Sequence, residues 1–236
     1  MELNLLYLIT DRNQTNGRPL LDVVKGALEG GVRMIQLREK DLTGKELLTL
    51  ARELRELTRQ YGSKLLINDR IDIALAVDAD GVHLGHQSIS VQDARRAFES
   101  SSMIGTVPIL RQDEPLSVNR DSPLIGVSTH LLEEALQAES DSADFITVGP
   151  VYYTPSKAAY GEPLGIENLK KAAKEIKIPI FALGGIKREN VGEVLNTGAY
   201  GVSMISAIMS ADDVKKETEE ILREIAEHRT DETQLM

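Results

Sequence analysis

The feature that most constrains the fold is a regular alternation between short apolar runs and longer segments with apolar residues at helical spacing. In the longer segments the spacing is that of Leu47, Ala51 and Leu54. Strands that are separated by helices pair in parallel through right-handed crossovers. The pattern therefore predicts an α/β fold whose parallel sheet is buried on both faces. The predicted strands are Leu3–Thr10, Met34–Leu37, Lys64–Ile67, Gly81–Leu84, Leu124–Ser128, Phe145–Val148, Ile178–Leu183 and Gly201–Ile205.

Chain length selects between the two parallel-sheet architectures. The chain has 236 residues, and eight strand-helix units of about 29 residues each suit a closed (β/α)8 TIM barrel better than an open doubly wound sheet. We predict one barrel domain over residues 1–227. Apolar periodicity is lost over residues 228–236, which we expect to form a frayed tail.

One segment interrupts the alternation. Residues 106–123 contain Pro108, Pro115 and Pro123 among acidic and amide side chains, which predicts an inserted loop. The runs Met103–Val107 and Leu124–Ser128 resemble each other, so either could be the fifth strand. We assign the second run because a better helical pattern follows it.

Composition argues against several functional classes. Lys and Arg total 27 against 37 Asp and Glu, a net charge of −10 that disfavours nucleic acid and anionic membranes as partners. The absence of cysteine excludes disulfides and thiolate chemistry and fits a cytoplasmic location. We expect no export signal or membrane-spanning helix, because the first ten residues and the apolar runs do not match either pattern. Whether the chain forms a homo-oligomer stays open.

Polar residues follow the second, third and fourth predicted strands, where a parallel barrel carries its active site. Gln36, Arg38 and Lys40 alternate along one extended segment and would place two cations and an amide on one wall. Such a wall suits a phosphate ester or a pyrophosphate. The alternative is a solvated loop in which Arg38 pairs with a carboxylate. Asn68–Arg70 and His83–Ser88 end the next two strands.

The sixth and seventh predicted strands lead into loops suited to phosphate. Gly184 and Gly185 follow the seventh strand and would expose backbone N–H groups, unless they form only a tight turn and a helix cap. The sixth strand leads into residues 149–165, a loop long enough to be functional rather than merely decorative. Thr154, Ser156 and Lys157 in that loop are donors for anionic groups.

Several of these strings resemble the family of thiamine phosphate synthase and its relative, the thiazole tautomerase. The resemblance extends from the first predicted strand to the last, and motifs in this order are far more specific than any one alone. The matching strings are Gln36–Lys40, Ile67–Arg70, Asp80–Gly85, Gly126–Ser128, Gly149–Val151, Thr154–Lys157 and Gly184–Ile186.

The resemblance implies an enzyme that joins hydroxymethylpyrimidine pyrophosphate to a thiazole phosphate, releasing pyrophosphate. It implies Mg²⁺ as cofactor with Asp69 as its ligand, and Ser128 assisting the pyrophosphate. The residues implied to hold the pyrimidine pyrophosphate are Gln36, Arg38, Lys40, Asn68 and Lys157. Those implied to hold the thiazole phosphate are Thr154, Ser156, Gly185, Ile205 and Ser206.

One departure from the synthase pattern keeps a second activity open. Ser88 stands where the family carries a second magnesium-binding aspartate, and the tautomerase is similar in having serine there. His130 also occupies the place of the tautomerase histidine, which moves a proton on a thiazole carboxylate. His130 would otherwise be a helix-start residue with a local hydrogen bond.

Asp69 favours the synthase, because a tautomerase requires no magnesium ligand at that position. Arg38 and Lys40 are also intact. We therefore rank the synthase first and the tautomerase second. A protein that binds thiamine precursors without turnover is the third hypothesis, and the complete set of strand-end residues argues against it.

Overall fold

The computed structural model describes residues 3–103, 122–154 and 162–234. Its strands are β1 (Leu6–Ile9), β2 (Met34–Leu37), β3 (Lys64–Asn68), β4 (Gly81–Leu84), β5 (Leu124–Thr129), β6 (Phe145–Val148), β7 (Ile180–Leu183) and β8 (Gly201–Met204). Its helices are α1 (Leu20–Glu29), α2 (Gly44–Gln60), α3 (Ile71–Val77), α4 (Val91–Met103), α5 (Leu132–Ser140), α6 (Gly165–Glu175), α7 (Val191–Leu195), α8 (Ser206–Met209) and α9 (Val214–Gln234).

The strands form one closed parallel barrel in chain order, with β8 pairing back onto β1. Tyr7 lies opposite Ser203 across this closing pair. The predicted (β/α)8 barrel is confirmed. Leu124–Thr129 is the fifth strand, as the following helix indicated, whereas Met103 ends α4.

Three strands are shorter than predicted. β1 begins at Leu6 instead of Leu3. β7 begins at Ile180, directly after Pro179, whose nitrogen has no hydrogen to donate to a neighbouring strand. β8 ends at Met204 because Ile205 turns to ψ −86° ahead of α8.

The two irregular segments predicted from the sequence have different outcomes. The inserted loop at 106–123 falls outside the described residues except for its last two positions. The frayed tail expected from residue 228 is replaced by helix through Gln234. No Gly or Pro occurs within α9 to interrupt its backbone hydrogen bonds.

Helix α2 shows how local sequence specifies an element that packs on the sheet. Its first turn is capped reciprocally, since the Thr43 backbone N–H donates to Glu46 Oε2 at 2.9 Å and the Glu46 N–H donates to Thr43 Oγ1 at 3.3 Å. Leu47, Ala51 and Leu54 are buried along one face. The helical spacing predicted from these residues is confirmed.

Strand alternation produces two separate cores. One core lies between the strands and the helices. The other fills the barrel and is rich in aromatic side chains. The Tyr7 and Phe145 rings cross edge to face with centroids 5.5 Å apart, and Phe145 packs on Phe181 at the same distance.

Two Arg-Asp pairs fasten the amino ends of the strands by the same construction. Arg55 of α2 donates to Asp80 Oδ2 at 2.6 Å, and the same oxygen accepts the backbone N–H of Leu65 in β3 at 2.8 Å. Arg95 of α4 donates to Asp144 Oδ2 at 2.9 Å, and this oxygen accepts the N–H of Ile125 in β5. Each aspartate thus ties a helix to a strand and the strand to its neighbour.

Candidate active site

At the end of β2, the wall formed by Gln36, Arg38 and Lys40 carries the cations, while a buried acid faces away from it. Gln36 is buried, Arg38 is half-buried and Lys40 is exposed. Within the described residues, neither cation forms an ion pair, so the carboxylate partner considered for Arg38 is not found there. The positive charge of Arg38 adds to the effect of burial in lowering the pKa of His83 inside the barrel.

Glu39 points away from this wall and secures it. Its carboxylate accepts the Thr10 hydroxyl at 2.6 Å and the backbone N–H of Arg12 at 3.1 Å. The Thr10 hydroxyl oxygen also accepts the backbone N–H of Arg38 at 2.9 Å. Burial raises the pKa of Glu39, which is 5% exposed. No role was predicted for Glu39, although its place between Arg38 and Lys40 in an alternating segment indicates that its side chain faces the opposite side from theirs.

Asp69 and Ser88 meet at the mouth between β3 and β4. Asp69 adopts φ 58°, which carries its carboxylate away from the strand direction. Its Oδ1 accepts the Ser88 hydroxyl and the Gly85 N–H, and its Oδ2 accepts the Asn68 amide at 2.7 Å. Ser88 therefore lies against the predicted metal ligand, as its place in the motif indicated.

This oxygen-rich corner suits a hard cation without forming a dense acidic cluster. Among the described residues, no group of three or more His, Cys, Asp or Glu side chains converges. Mg²⁺ commonly binds proteins through one or two carboxylates and takes its other oxygens from water and substrate phosphates. Asp69, with the Ser88 hydroxyl beside it, fits that pattern chemically.

A buried polar network crosses the barrel just below this mouth. The Gln36 amide donates to the Tyr7 hydroxyl at 2.9 Å, and that hydroxyl lies 3.4 Å from His83 Nδ1. His83 Nε2 lies 2.9 Å from Ser128 Oγ and 3.4 Å from Thr147 Oγ1. Tyr7 and His83 connect Gln36 to Ser128, and Thr147 also contacts the His83 ring. The sequence placed His83 at a strand end, but no ligand-binding role was predicted for it, for Tyr7 or for Thr147.

Burial keeps the network neutral. It lowers the pKa of His83 to about 3, with the charge of Arg38 acting in the same direction and that of Asp69 opposing it. Burial also raises the pKa of Tyr7. A polar residue at an inward position of an apolar strand was the sequence signal for both side chains.

His130 is anchored at the end of β5. Its backbone N–H donates to Glu134 Oε2 at 2.7 Å, at the start of α5, and its Nδ1 contacts the carbonyl oxygen of Gly149 after β6. The predicted local hydrogen bond at a helix start is therefore present. The ring also links two neighbouring strand ends.

The glycines after β7 allow close packing that no side chain would permit. Gly184 and Gly185 have φ values of 98° and 68°. A Cβ on Gly185 would lie 2.7 Å from Tyr152 Cβ. Thr154 lies shortly beyond Tyr152, and its Oγ1 is buried without a hydrogen-bonding partner among the described residues. A buried hydroxyl with no partner among the described residues suits an anionic ligand.

Residues after β1 hold α8 against the barrel. Arg18 Nη2 donates to the Met209 carbonyl at 3.0 Å, and the Asn16 amide donates to the Ser210 carbonyl at 2.9 Å. Ile205 and Ser206 are therefore held at the start of α8, beside the β7 loop. The predicted residues Ser156 and Lys157 lie outside the described residues.

Comparison with known proteins identifies relatives over nearly the whole chain. Residues 6–108 and 109–208 match the family model described as thiamine monophosphate synthase. The thiamine-phosphate synthase of Moorella thermoacetica is 43% identical over 209 residues, 89% of this chain and 90% of the relative. That of Clostridium novyi is 41% identical over 216 residues, 91% of this chain and 96% of the relative.

Solved structures show the same likeness. Thiamine phosphate pyrophosphorylase from Pyrococcus furiosus superposes with a TM-score of 0.79 at 38% identity, covering 94% of this chain and 96% of the other. The 3-hexulose-6-phosphate synthase from Salmonella typhimurium superposes with a TM-score of 0.65 at 19% identity, covering 95% of this chain and 100% of the other. The second likeness concerns the fold alone. None of the helices in the described ranges is long and apolar enough to cross a membrane.

Proposed function

We propose, from the premise that this chain belongs to the thiamine monophosphate synthase family, that it is a thiamine-phosphate synthase. The enzyme is a transferase of thiamine biosynthesis that couples hydroxymethylpyrimidine pyrophosphate to thiazole phosphate. Its products are thiamine phosphate and pyrophosphate. The observation that carries the proposal is the wall of Arg38 and Lys40, which form no ion pair with any described residue, beside the Asp69 carboxylate at one end of the barrel.

The β2 and β3 ends bind the pyrophosphate. Arg38, Lys40 and Lys157 offset its charge, while Gln36 and Asn68 supply amide donors. Asp69, with Ser88 beside it, would hold a magnesium ion. The chemistry that bound Mg²⁺ supplies is neutralisation of the negative charge that grows on the departing pyrophosphate.

The thiazole phosphate binds at the opposite part of the mouth. Gly185 offers backbone N–H groups, and Thr154 and Ser156 offer hydroxyls. Ile205 and Ser206 complete the site where α8 begins. The orphaned Thr154 hydroxyl supports this placement, because a phosphate oxygen would supply its missing partner.

The residues act on the leaving group rather than by covalent attack. As the carbon-oxygen bond to pyrophosphate breaks, its electron pair moves to the phosphate oxygen, and the thiazole nitrogen forms the new bond to that carbon. Cations and hydroxyl donors bind the developing charge more strongly than the ground state. No protein nucleophile is required, and Ser128 serves as a hydrogen-bond donor.

Purified protein tests the proposal directly. It is incubated with Mg²⁺ and both precursors, and thiamine phosphate and pyrophosphate are quantified together. We expect equal amounts of the two products. Failure to form thiamine phosphate while the folded protein binds the precursors would refute the synthase and favour the non-catalytic binding protein.

A thiazole tautomerase is the second candidate, and His130 is the observation that favours it. Its position between the β5 and β6 ends suits an acid-base group acting on a thiazole carboxylate. The thiazole tautomer alone is the substrate for this test. Isomerisation that is lost in His130→Ala would support this activity, and no isomerisation would exclude it.

The thiazole phosphate site has its own test. A crystal grown with phosphate or sulfate is expected to hold an anion between Gly185 and Ser206. Occupation of another part of the barrel with this place empty would contradict the assignment. A cytoplasmic location also stays a prediction, which the absence of cysteine supports, and the oligomeric state stays open.

A further inference from the structure

The hydrogen bonds inside the barrel have a definite direction. Gln36 Nε2 is a donor, so the Tyr7 oxygen accepts at that contact, and the Tyr7 proton is available for another acceptor. His83 Nδ1, at 3.4 Å, is positioned to be that acceptor, a role open to it in only one of its two neutral tautomers. In this arrangement the β2 amide donates to the β1 hydroxyl, and the β1 hydroxyl donates to the β4 imidazole.

The acceptor role of Nδ1 fixes the tautomer of His83. A neutral imidazole that accepts at Nδ1 carries its proton on Nε2, and Nε2 is 2.9 Å from Ser128 Oγ. Ser128 Oγ therefore accepts from His83, which leaves the Ser128 proton to be donated elsewhere.

Close packing prevents His83 from leaving this arrangement. The ring is 2% exposed and lies against the rings of Tyr7 and Phe145. Gly126 makes room for it, because a Cβ there would lie 2.7 Å from His83 Nδ1 and closer still to Phe145. The barrel interior thus holds the imidazole with one nitrogen toward Tyr7 and the other toward Ser128.

We propose that Gln36, Tyr7 and His83 form a one-way hydrogen-bond relay that makes the Ser128 hydroxyl a donor to the departing pyrophosphate. The proposal rests on the proposed synthase function and adds Tyr7 and His83 to it as positioning residues. No proton is transferred along the relay. Because Ser128 accepts from His83, its own hydroxyl proton is not donated to the imidazole. The Ser128 hydroxyl is therefore already oriented as a donor when charge develops on the leaving oxygen.

A double-mutant cycle tests whether Tyr7 acts through Ser128. Tyr7→Phe keeps the ring but removes both hydrogen bonds, and we expect kcat to fall about 10-fold with KM for the pyrimidine pyrophosphate nearly unchanged. In a Ser128→Ala background the same change is expected to lower kcat by less than about 2-fold. Equal losses in both backgrounds would overturn the relay, because they would mean that Tyr7 acts independently of Ser128.

Tyr200→Phe is the matched control. The Tyr200 hydroxyl donates to the Leu3 carbonyl, and its ring packs on Phe181 near the amino end of the barrel. This change removes a tyrosine hydroxyl bond without touching the relay. We expect kcat to change less than about 2-fold in either background. A loss as large as that of Tyr7→Phe would attribute both effects to general loosening of the core and overturn the relay.

The tautomer of His83 gives a readout that needs no activity. In ¹⁵N-histidine-labelled full-length protein at pH 7, NMR is expected to show His83 protonated on Nε2 and unprotonated on Nδ1. The opposite tautomer would reverse the Tyr7–His83 and His83–Ser128 hydrogen bonds and overturn the proposal, even if Tyr7→Phe fails to fold. The expected tautomer in a protein that makes no thiamine phosphate would refute the synthase function while leaving the relay geometry intact.

Discussion

The aspartates at the two ends of the barrel differ in the groups that bind their carboxylates. At the amino end, Asp80 and Asp144 each receive both a guanidinium and a strand N–H. At the carboxyl end, the described contacts of the Asp69 carboxylate are with neutral donors only. The aspartates at the amino end join elements, whereas Asp69 pairs with no cation among the described residues, although Arg12–Asp41 and Arg70–Asp72 pairs form elsewhere at the carboxyl end.

This difference predicts which substitutions should change mainly the stability of the protein and which should change mainly its activity. Carboxylates paired within the protein lower the free energy of the folded state, and their loss leaves a partly buried guanidinium unpaired. Charges held for a ligand contribute little to folding and much to binding. The following substitutions either sharpen this contrast or break it.

The largest effect is expected from Asp69→Asn. Asn tolerates the φ of 58° and can still accept the Gly85 and Ser88 hydrogens, so the melting temperature should change little. Loss of the carboxylate charge should lower kcat/KM at limiting Mg²⁺ by about 100-fold. Steady-state kinetics with a magnesium titration measures it. Unchanged magnesium dependence would mean that the metal does not bind at Asp69.

Asp80→Asn should give the converse result at the amino end. It leaves Arg55 without its carboxylate, and Arg55 is largely buried. We expect a loss of about 2 kcal/mol in the free energy of unfolding. Urea denaturation measures this loss, and kcat/KM of the folded variant should stay within about 2-fold of the original value. Asp144→Asn is the matched variant and should behave alike.

Ser88→Asp should make the carboxyl end depend on metal for stability. The new carboxylate would lie against Asp69 and repel it without Mg²⁺. We expect the melting temperature to fall by about 3 °C in EDTA and to recover with Mg²⁺. The half-saturating Mg²⁺ concentration for synthesis should also decrease. A melting temperature indifferent to Mg²⁺ would contradict the placement of the metal.

The smallest effect concerns Glu39, a buried acid at the otherwise open end. Because its pKa is raised, the folded chain binds more protons than the unfolded chain at pH values from about 4.5 upward, and stability falls as pH rises through that window. Glu39→Gln removes this titration. The stability of the variant relative to the original chain should therefore increase between pH 4 and pH 7.

Denaturation at both pH values measures this difference. The exposed Glu53→Gln serves as the control for loss of one negative charge. A relative stability of Glu39→Gln that declines with pH would show that the ionised carboxylate stabilises the loops it joins. The amino and carboxyl ends would then use buried acids in the same way.

The barrel could be predicted from local sequence because each of its strands and helices has a recognisable pattern over a short stretch of chain. Four-residue strands such as Met34–Leu37 and the amphipathic α2 are specified by neighbours along the chain. Errors occurred at strand ends, where Pro179 and the turn at Ile205 decided the boundary. The strand-end position of Asp69, Ser88 and Ser128 was also predictable, since parallel strands bring their carboxyl ends together.

The order of strands and helices, the end of the barrel that carries the polar residues and the family resemblance could all be predicted from the sequence. The contact of Tyr7 with His83, 76 residues away, and that of His83 with Ser128, a further 45 residues on, could be found only in the folded structure. Periodicity tells which way a side chain faces but not which side chain it meets across a closed barrel. That choice depends on the register of every strand between them and on the space that Gly126 leaves.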